Sequence, residues 1–257
     1  MNIYTSFDTV LWIENAVLAL GAFDGMHVAH RHLVEKLCQD AKQNNRNSVI
    51  VSFSSHPRKI ISEDPSQAVL TTQQEKLEIL AEIGLNNLII MDFTTDMANR
   101  NYIDFIHFLQ TKIDIRKIIL GYNHHFGKNR EGCYDTLLQL GNELHFEVEQ
   151  IEKQTIGGIP ISSSSIREAL YLGDIEAVNK MLGYNYSICV QIVYDKNNYQ
   201  NAIFFDNDKL LPKIGRYIVK IDGCNFFLTV KHLHLSIDSI DDKEEGIYKV
   251  EFIQTVQ

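Results

Sequence analysis

The stretch Leu18-Ala-Leu-Gly-Ala-Phe-Asp-Gly-Met-His-Val-Ala-His30 decides the fold. Val17 to Leu20 form an apolar run that reads as a buried strand, and the run stops at Gly21. Gly25 marks a tight segment, and His27 and His30 follow it. From Ala29 to Lys42 the apolar residues Leu33, Val34, Leu37 and Ala41 recur at helical spacing. The unit is therefore a strand, a glycine turn and the start of a helix. Backbone N–H groups and the helix dipole receive a phosphate at such a place. His27 and His30 would hydrogen-bond that anion and stabilise charge developing on it. Taken alone, the stretch also reads as a β–α turn with two surface histidines.

The pattern continues outward from this unit. Ser48–Phe53, Asn87–Met91, Lys117–Leu120 and Phe146–Ile151 read as further strands. Between them lie helical patterns at Thr72–Ile83, Ile103–Leu109 and Tyr134–Leu140. Thr72 and Glu75 have capping-box spacing, and Gly84 and Gly141 read as helix stops. Two shorter helices follow, Ser164–Leu172 and Ile175–Leu182, each stopped by a glycine. Alternating strands and helices predict an α/β domain, a mostly parallel sheet with helices on both faces. After Gly183 the texture changes to β-branched and alternating runs at Tyr186–Tyr194, Arg216–Ile221, Asn225–Val230 and Ile247–Phe252. The expected domains are residues 1–183 and a small all-β, barrel-like domain at 184–257.

The bulk properties narrow the function. The chain has 257 residues, 45% hydrophobic and 22% charged, an ordinary globular balance. A net charge of −9 argues against a nucleic-acid partner bound through a broad basic surface. Cys38, Cys133, Cys189 and Cys224 lie far apart without a C-x-x-C pair, so a reduced cytoplasm is expected. The N-terminus has no signal-peptide pattern, and no apolar run is long enough to cross a bilayer, so no membrane role is expected.

Three further motifs carry candidate chemistry. Ser162-Ser-Ser-Ser-Ile-Arg167 opens a helix, where serine hydroxyls can cap it or meet phosphate oxygens. Arg167 offers two donors to the same anion. Ser52-Phe-Ser-Ser-His-Pro57 follows the second strand, and Gly121-Tyr-Asn-His-His-Phe-Gly-Lys-Asn-Arg-Glu-Gly132 follows the fourth. Ligands collect beyond the carboxyl ends of parallel strands, so these loops and the Gly21 turn point to one shared site. His124 and His125 are adjacent, and neighbours on an extended segment point apart, so no metal site is assigned to them.

Gly21-Ala-Phe-Asp-Gly-Met-His-Val-Ala-His30 resembles the G-x-F-D-x-x-H-x-G-H signature of nucleotidyltransferases. The fuller match is to the adenylyltransferase module of prokaryotic bifunctional riboflavin kinase/FAD synthetases. Ala29 stands where that family has glycine, and Ser164 stands where it has threonine in S-S-T-x-I-R. The loop at Ser52 is similar to the family's T-F-x-P-H-P, with Ser55 replacing a proline. The loop at Gly121 is similar to G-x-N/D-F-x-F-G, with His124 replacing an aromatic.

The resemblance implies a Rossmann-like nucleotidyltransferase sheet and the reaction of ATP with FMN to give FAD and pyrophosphate. It implies catalytic roles for His27, His30 and Arg167. ATP would meet Gly21, Ala22, Phe23, Asp24, His27, His30, Ser163, Ser164 and Arg167. Flavin would meet Phe53, His56, Pro57, Asn123 and Phe126. Mg²⁺ would enter with ATP and lean on substrate phosphates, so no protein metal ligand is assigned. Leu211-Pro-Lys-Ile-Gly-Arg-Tyr217 resembles part of the family's riboflavin kinase barrel, but the chain has no P-T-A-N sequence, so kinase activity is expected to be lost. Two alternatives stay open: a flavin- or nucleotide-binding protein without catalysis, and a nucleotidyltransferase for another phosphorylated substrate.

Overall fold

A computed structural model describes residues 1–54, 68–195, 200–205, 208–232, 234–238, 240 and 243–256. By packing, the chain divides into two units: Met1–Gln67 with Thr71–Gln154, and Ala68–Leu70 with Thr155–Gln257.

The first unit is built in the order β1 (Asn2–Tyr4), β2 (Ile13–Leu20), α1 (Val28–Gln43), β3 (Asn47–Phe53), α2 (Gln73–Ile83) and β4 (Asn87–Met91). It continues through α3 (Thr95–Asn99), α4 (Tyr102–Gln110), β5 (Ile113–Leu120), α5 (Tyr134–Leu144) and β6 (Glu147–Gln150). The sheet runs β1-β4-β3-β2-β5-β6, and all its pairs are parallel. The chain winds outward from β2 through β3 to β4, then returns to the far side of β2 as β5. The carboxyl ends of β2 and β5 thus form the switch point where open α/β sheets bind ligands.

Successive strand residues feed opposite cores. Leu18, Leu20, Val49, Val51, Ile118 and Leu120 pack with Phe105, Ile106 and Leu109 of α4 and with Leu137 and Leu140 of α5. Val17, Ala19, Ile50, Leu88, Ile90 and Ile119 pack with Leu33, Val34 and Leu37 of α1 and with Leu80 of α2. Burial on both faces explains why these strands read as continuous apolar runs. The Thr72–Glu75 capping box is present, with Thr72 N donating to Glu75 at 2.8 Å and Glu75 N donating to Thr72 at 3.3 Å.

Gly141 does not stop α5, as its sequence position suggests. The helix runs to Leu144, and His145 takes the left-handed conformation at φ 59°. Glycine is required for space, because a Cβ at 141 would lie 2.6 Å from the Phe146 carbonyl oxygen.

The second unit contains β7 (Thr155–Ile156), β8 (Ile159–Pro160), α6 (Ser163–Leu172), α7 (Ile175–Leu182) and β9 (Ser187–Asp195). It continues with β10 (Gln200–Phe205), β11 (Gly215–Ile221), β12 (Cys224–Lys231), β13 (His234–Ile237) and β14 (Gly246–Val256). The antiparallel sheet runs β10-β9-β14-β11-β12-β13, and its edge strands β10 and β13 approach each other, giving a barrel-like form.

The helices α6 and α7 pack with this sheet, whereas the sequence texture groups them with the α/β region up to residue 183. Asn179 shows why: its Nδ2 donates to the Phe252 carbonyl at 2.9 Å, and its Oδ1 accepts from Tyr186 N at 2.8 Å. Lys213 N donates to the Leu170 carbonyl at 2.9 Å, and Thr255 Oγ1 donates to the Gly173 carbonyl. Secondary-structure texture changes near 184, but these bonds of Leu170, Gly173 and Asn179 run forward in sequence.

Candidate functional site

The Gly21–Gly25 turn leaves β2 at the switch point, with Gly21 N donating to the Val51 carbonyl of β3 at 3.1 Å. The Phe23 ring folds back to within 3.3 Å of where a Cβ on residue 21 would lie, so Gly21 gives the ring its place. Gly25 has φ 90°, which favours glycine. Phe23 and Met26 hold positive φ values of 50° and 37° although neither is glycine, so the turn stores backbone strain.

His27 occupies the N-cap of α1 and is buried. Its Nδ1 accepts from His30 N at 3.2 Å. That bond needs an unprotonated Nδ1, which leaves the proton of the neutral ring on Nε2, as a donor. The His27 and His30 rings stack at 3.7 Å with 13° between their planes, and Phe23 packs at 5.2 Å on His30. Burial pushes the His27 pKa down to about 4, with the nearby Asp24 charge opposing the shift. Burial, then His27, Lys76 and His124, holds His30 well below the ordinary imidazole range. Both rings are therefore neutral near pH 7. His30 Nδ1 is shielded from solvent and has no hydrogen-bond partner among the described residues.

Lys76 reaches the same turn, and sequence reading passed over it. It lies on α2, and its Nζ donates to the Ala22 carbonyl at 2.7 Å and to Ser52 Oγ at 3.3 Å. Ser52 Oγ in turn donates to the same Ala22 carbonyl at 3.3 Å. The lysine is 6% exposed, and burial lowers its pKa to about 8 against the opposing pull of Asp24. Asp24 is buried and accepts from Thr71 N at 3.2 Å. The missed signal was positional: Lys76 sits four residues before Leu80, on the buried stripe of α2.

Other expected residues separate into distinct settings. Phe53 ends β3 and packs edge-on against Phe93 at 5.0 Å. His56 and Pro57 lie outside the described residues. Asn123 is exposed on the loop after β5. Phe126 packs at 5.8 Å on Phe105 and exchanges backbone hydrogen bonds with Gly132, so part of its work is to anchor that loop to the core.

The second unit holds Ser163, Ser164 and Arg167. The cap of α6 is Ser162, whose Oγ accepts from Ser165 N at 3.1 Å, while Ser162 N donates back to Ser165 Oγ at 3.0 Å. Ser163 and Ser164 are the first two helical residues, with Ser164 exposed. Arg167 is the fifth residue of α6, and its Nη1 donates to the Ala68 carbonyl at 2.7 Å. That bond helps hold Ala68–Leu70 in the second unit, where Val69 bridges to Lys209.

Comparison with known proteins agrees with this geometry. The FAD synthetase family model matches residues 12–165. The bifunctional riboflavin kinase/FMN adenylyltransferase of Listeria monocytogenes is 29% identical over 81% of this chain and 69% of its own length. The protein of that name from Escherichia coli strain K12 is 30% identical over 70% of this chain and 58% of its own length. The chain thus spans 69% and 58% of the length of these two relatives. A crystal structure described as a macrolide-efflux protein from Streptococcus pneumoniae shares the fold, with a TM-score of 0.82 and 18% identity over 99% of this chain and 90% of that one. With its matching span from the β2 strand through the start of α6, the chain belongs to the FAD synthetase family.

Proposed function

We propose that this chain is an FMN adenylyltransferase. A phosphate oxygen of FMN attacks the α-phosphorus of ATP, the bond from that phosphorus to the β-bridging oxygen breaks, and FAD and pyrophosphate form. One observation carries the reading: two stacked, neutral imidazoles stand at the N-terminus of α1, at the switch point of a parallel sheet. Neutral rings donate hydrogen bonds to the triphosphate, and proton uptake becomes easier as negative charge builds on the leaving pyrophosphate. Free N–H groups at the start of α1 add to that stabilisation.

Lys76 holds the Ala22 carbonyl, so it fixes the turn that the nucleotide approaches. Ser163, Ser164 and Arg167 keep the role implied by the family likeness, holding the β- and γ-phosphates. Phe53, His56, Pro57, Asn123 and Phe126 keep the flavin role. Mg²⁺ would enter with ATP and supply neutralisation of phosphate charge. That suits a turn whose one buried carboxylate among the described residues, Asp24, is already bonded to Thr71.

Residues 1–183 then form the transferase, and 184–257 form a kinase-like domain without kinase activity, since the chain lacks P-T-A-N. The acidic net charge supports small-molecule substrates over nucleic acid. No helix among the described residues is long and apolar enough to cross a membrane, and all four cysteines are free thiols, as suits the cytoplasm.

The purified chain with ATP, FMN and Mg²⁺ is expected to release FAD and pyrophosphate, and His27→Ala to abolish the reaction. No FAD with any divalent ion would overturn the proposal. Ala29, a methyl on the first turn of α1, favours one second reading, in which the nucleotide binds without turnover. Calorimetric binding of ATP and FMN without product would select it.

A further inference from the structure

The loop after β5 carries a third imidazole, His124, and this residue has no assigned role. Strands β2 and β5 are neighbours, with Leu18 opposite Ile118, so the loops that follow Leu20 and Leu120 leave the sheet side by side. The second loop turns at once, with His124 N donating to the Gly121 carbonyl at 3.1 Å. The His124 ring lies on Phe126 at 5.9 Å with 29° between planes, and Phe126 is fixed by the core and by Gly132. The ring is thus held in place.

Its Nε2 is shielded from solvent and has no hydrogen-bond partner among the described residues, and the same is true of His30 Nδ1. A buried nitrogen without a partner is costly, so one on the first turn of α1 and one on the loop after β5 call for an explanation. A charge on His124 is felt at His30, which puts the two rings in one electrostatic neighbourhood. Phosphate oxygens are acceptors that can satisfy imidazole N–H groups from the start of α1 and from this loop at once.

We propose that His124 binds the phosphate of FMN and presents it to the α-phosphorus held by His27 and His30. The inference rests on the reading of this site as one for ATP and FMN. Two placements select FMN rather than ATP as the ligand. His124 follows Asn123, the loop residue assigned to the flavin, and the FMN phosphate must lie between the flavin and the attacked phosphorus. An in-line displacement also sets the attacking and leaving oxygens on opposite sides of that phosphorus. The imidazole pair at α1 serves the nucleotide side, and the β5 loop approaches from the neighbouring strand.

The test measures FAD formation by the full chain and uses riboflavin, which lacks the phosphate, as a competitive inhibitor against FMN. His124→Phe keeps the ring packed on Phe126 and removes both nitrogens. It is expected to raise KM for FMN at least about tenfold while leaving KM for ATP and the riboflavin inhibition constant within twofold. His124→Gln, which keeps a donor, is expected to recover part of the loss. Unchanged KM for FMN in His124→Phe would overturn the assignment. So would an equal loss for FMN and riboflavin, which marks a packing role, or a rise in KM for ATP alone, which moves the residue to the nucleotide. Wild-type protein that makes no FAD would instead remove the underlying reading, and the inference with it.

Discussion

The two units bury polar groups in different ways. The parallel-sheet unit buries Asp24, His27, Ser52, Thr71 and Lys76 around the loops that leave β2 and β3. Their bonds converge on few atoms: the Ala22 carbonyl receives both Lys76 and Ser52. The antiparallel unit buries few such groups, Ser187 and Lys209 among the described residues, and its core is closed by Tyr186, Tyr217 and Phe252. There the polar atoms serve the fold, as where Tyr186 OH and Tyr217 OH donate to the carbonyls of Leu210 and Lys213. The first pattern costs stability and keeps unsatisfied nitrogens beside strained backbone, the arrangement expected of a site. The second returns the buried Tyr186 and Tyr217 hydroxyls to the backbone, the arrangement expected of a scaffold.

The sharpest way to break this contrast is His27→Ala. Removing one preorganised donor at developing charge costs roughly 10²–10³-fold in rate, so kcat for FAD formation is expected to fall by at least that much. The same change removes the α1 cap, which costs about 1 kcal/mol, read as a small drop in Tm. A rate within threefold of wild type would erase the distinction.

The pH dependence of stability tests the buried imidazoles directly. In the unfolded chain His27 titrates near 6.5, and in the fold its pKa is about 4. The unfolded state therefore takes up the proton first as the pH falls through 6.5. Stability is expected to drop between pH 6.5 and 4 and then level off, since both states are protonated below that range. Urea melts of the unliganded protein at pH 7 and pH 5 check the sign, and a shallower profile in His27→Gln would assign part of the drop to this ring. His30 and His124 are lowered in the same direction and add to the slope.

Lysine exchanges compare the two units with one chemistry. Lys76→Met is expected to reduce kcat/KM about tenfold by loosening the turn at Ala22, the loss of one hydrogen bond from a charged donor. Lys209→Met, in the second unit, is expected to leave kcat/KM within twofold. Equal effects in steady-state assays would show that buried lysines matter here only for folding. The smallest effect is expected from Tyr217→Phe, which removes one bond to the backbone. About 1 kcal/mol is lost, a shift of roughly 2–4 °C in Tm, with no change in FAD formation.

Much of the architecture was legible because its signals are local. Buried strands between two helical layers must be apolar throughout, so Val17–Leu20, Ser48–Phe53 and Asn87–Met91 stand out by composition alone. The edge strand Asn2–Tyr4 does not, for its three residues are exposed or half-buried, and the strand exists because it pairs with β4. The histidine pair and the serine-rich start of α6 were visible as short motifs. Lys76 was hidden because a lysine on an amphipathic helix normally faces water, and only the packing of α2 on the Gly21 turn makes it a buried donor.

By itself, then, the sequence determined the central strands and the longer helices of the parallel-sheet unit, and where the glycine turn lies. These depend on residues within a turn or two of one another. Tertiary structure alone decided that α6 and α7 pack with the antiparallel sheet, that Gly141 yields to the Phe146 carbonyl, and that the chain leaves the neighbouring strands β2 and β5 side by side. Each of those outcomes depends on atoms brought together by parallel pairing, chain reversal or crossover connections. No local periodicity encodes the distance that remains after the chain has folded back on itself.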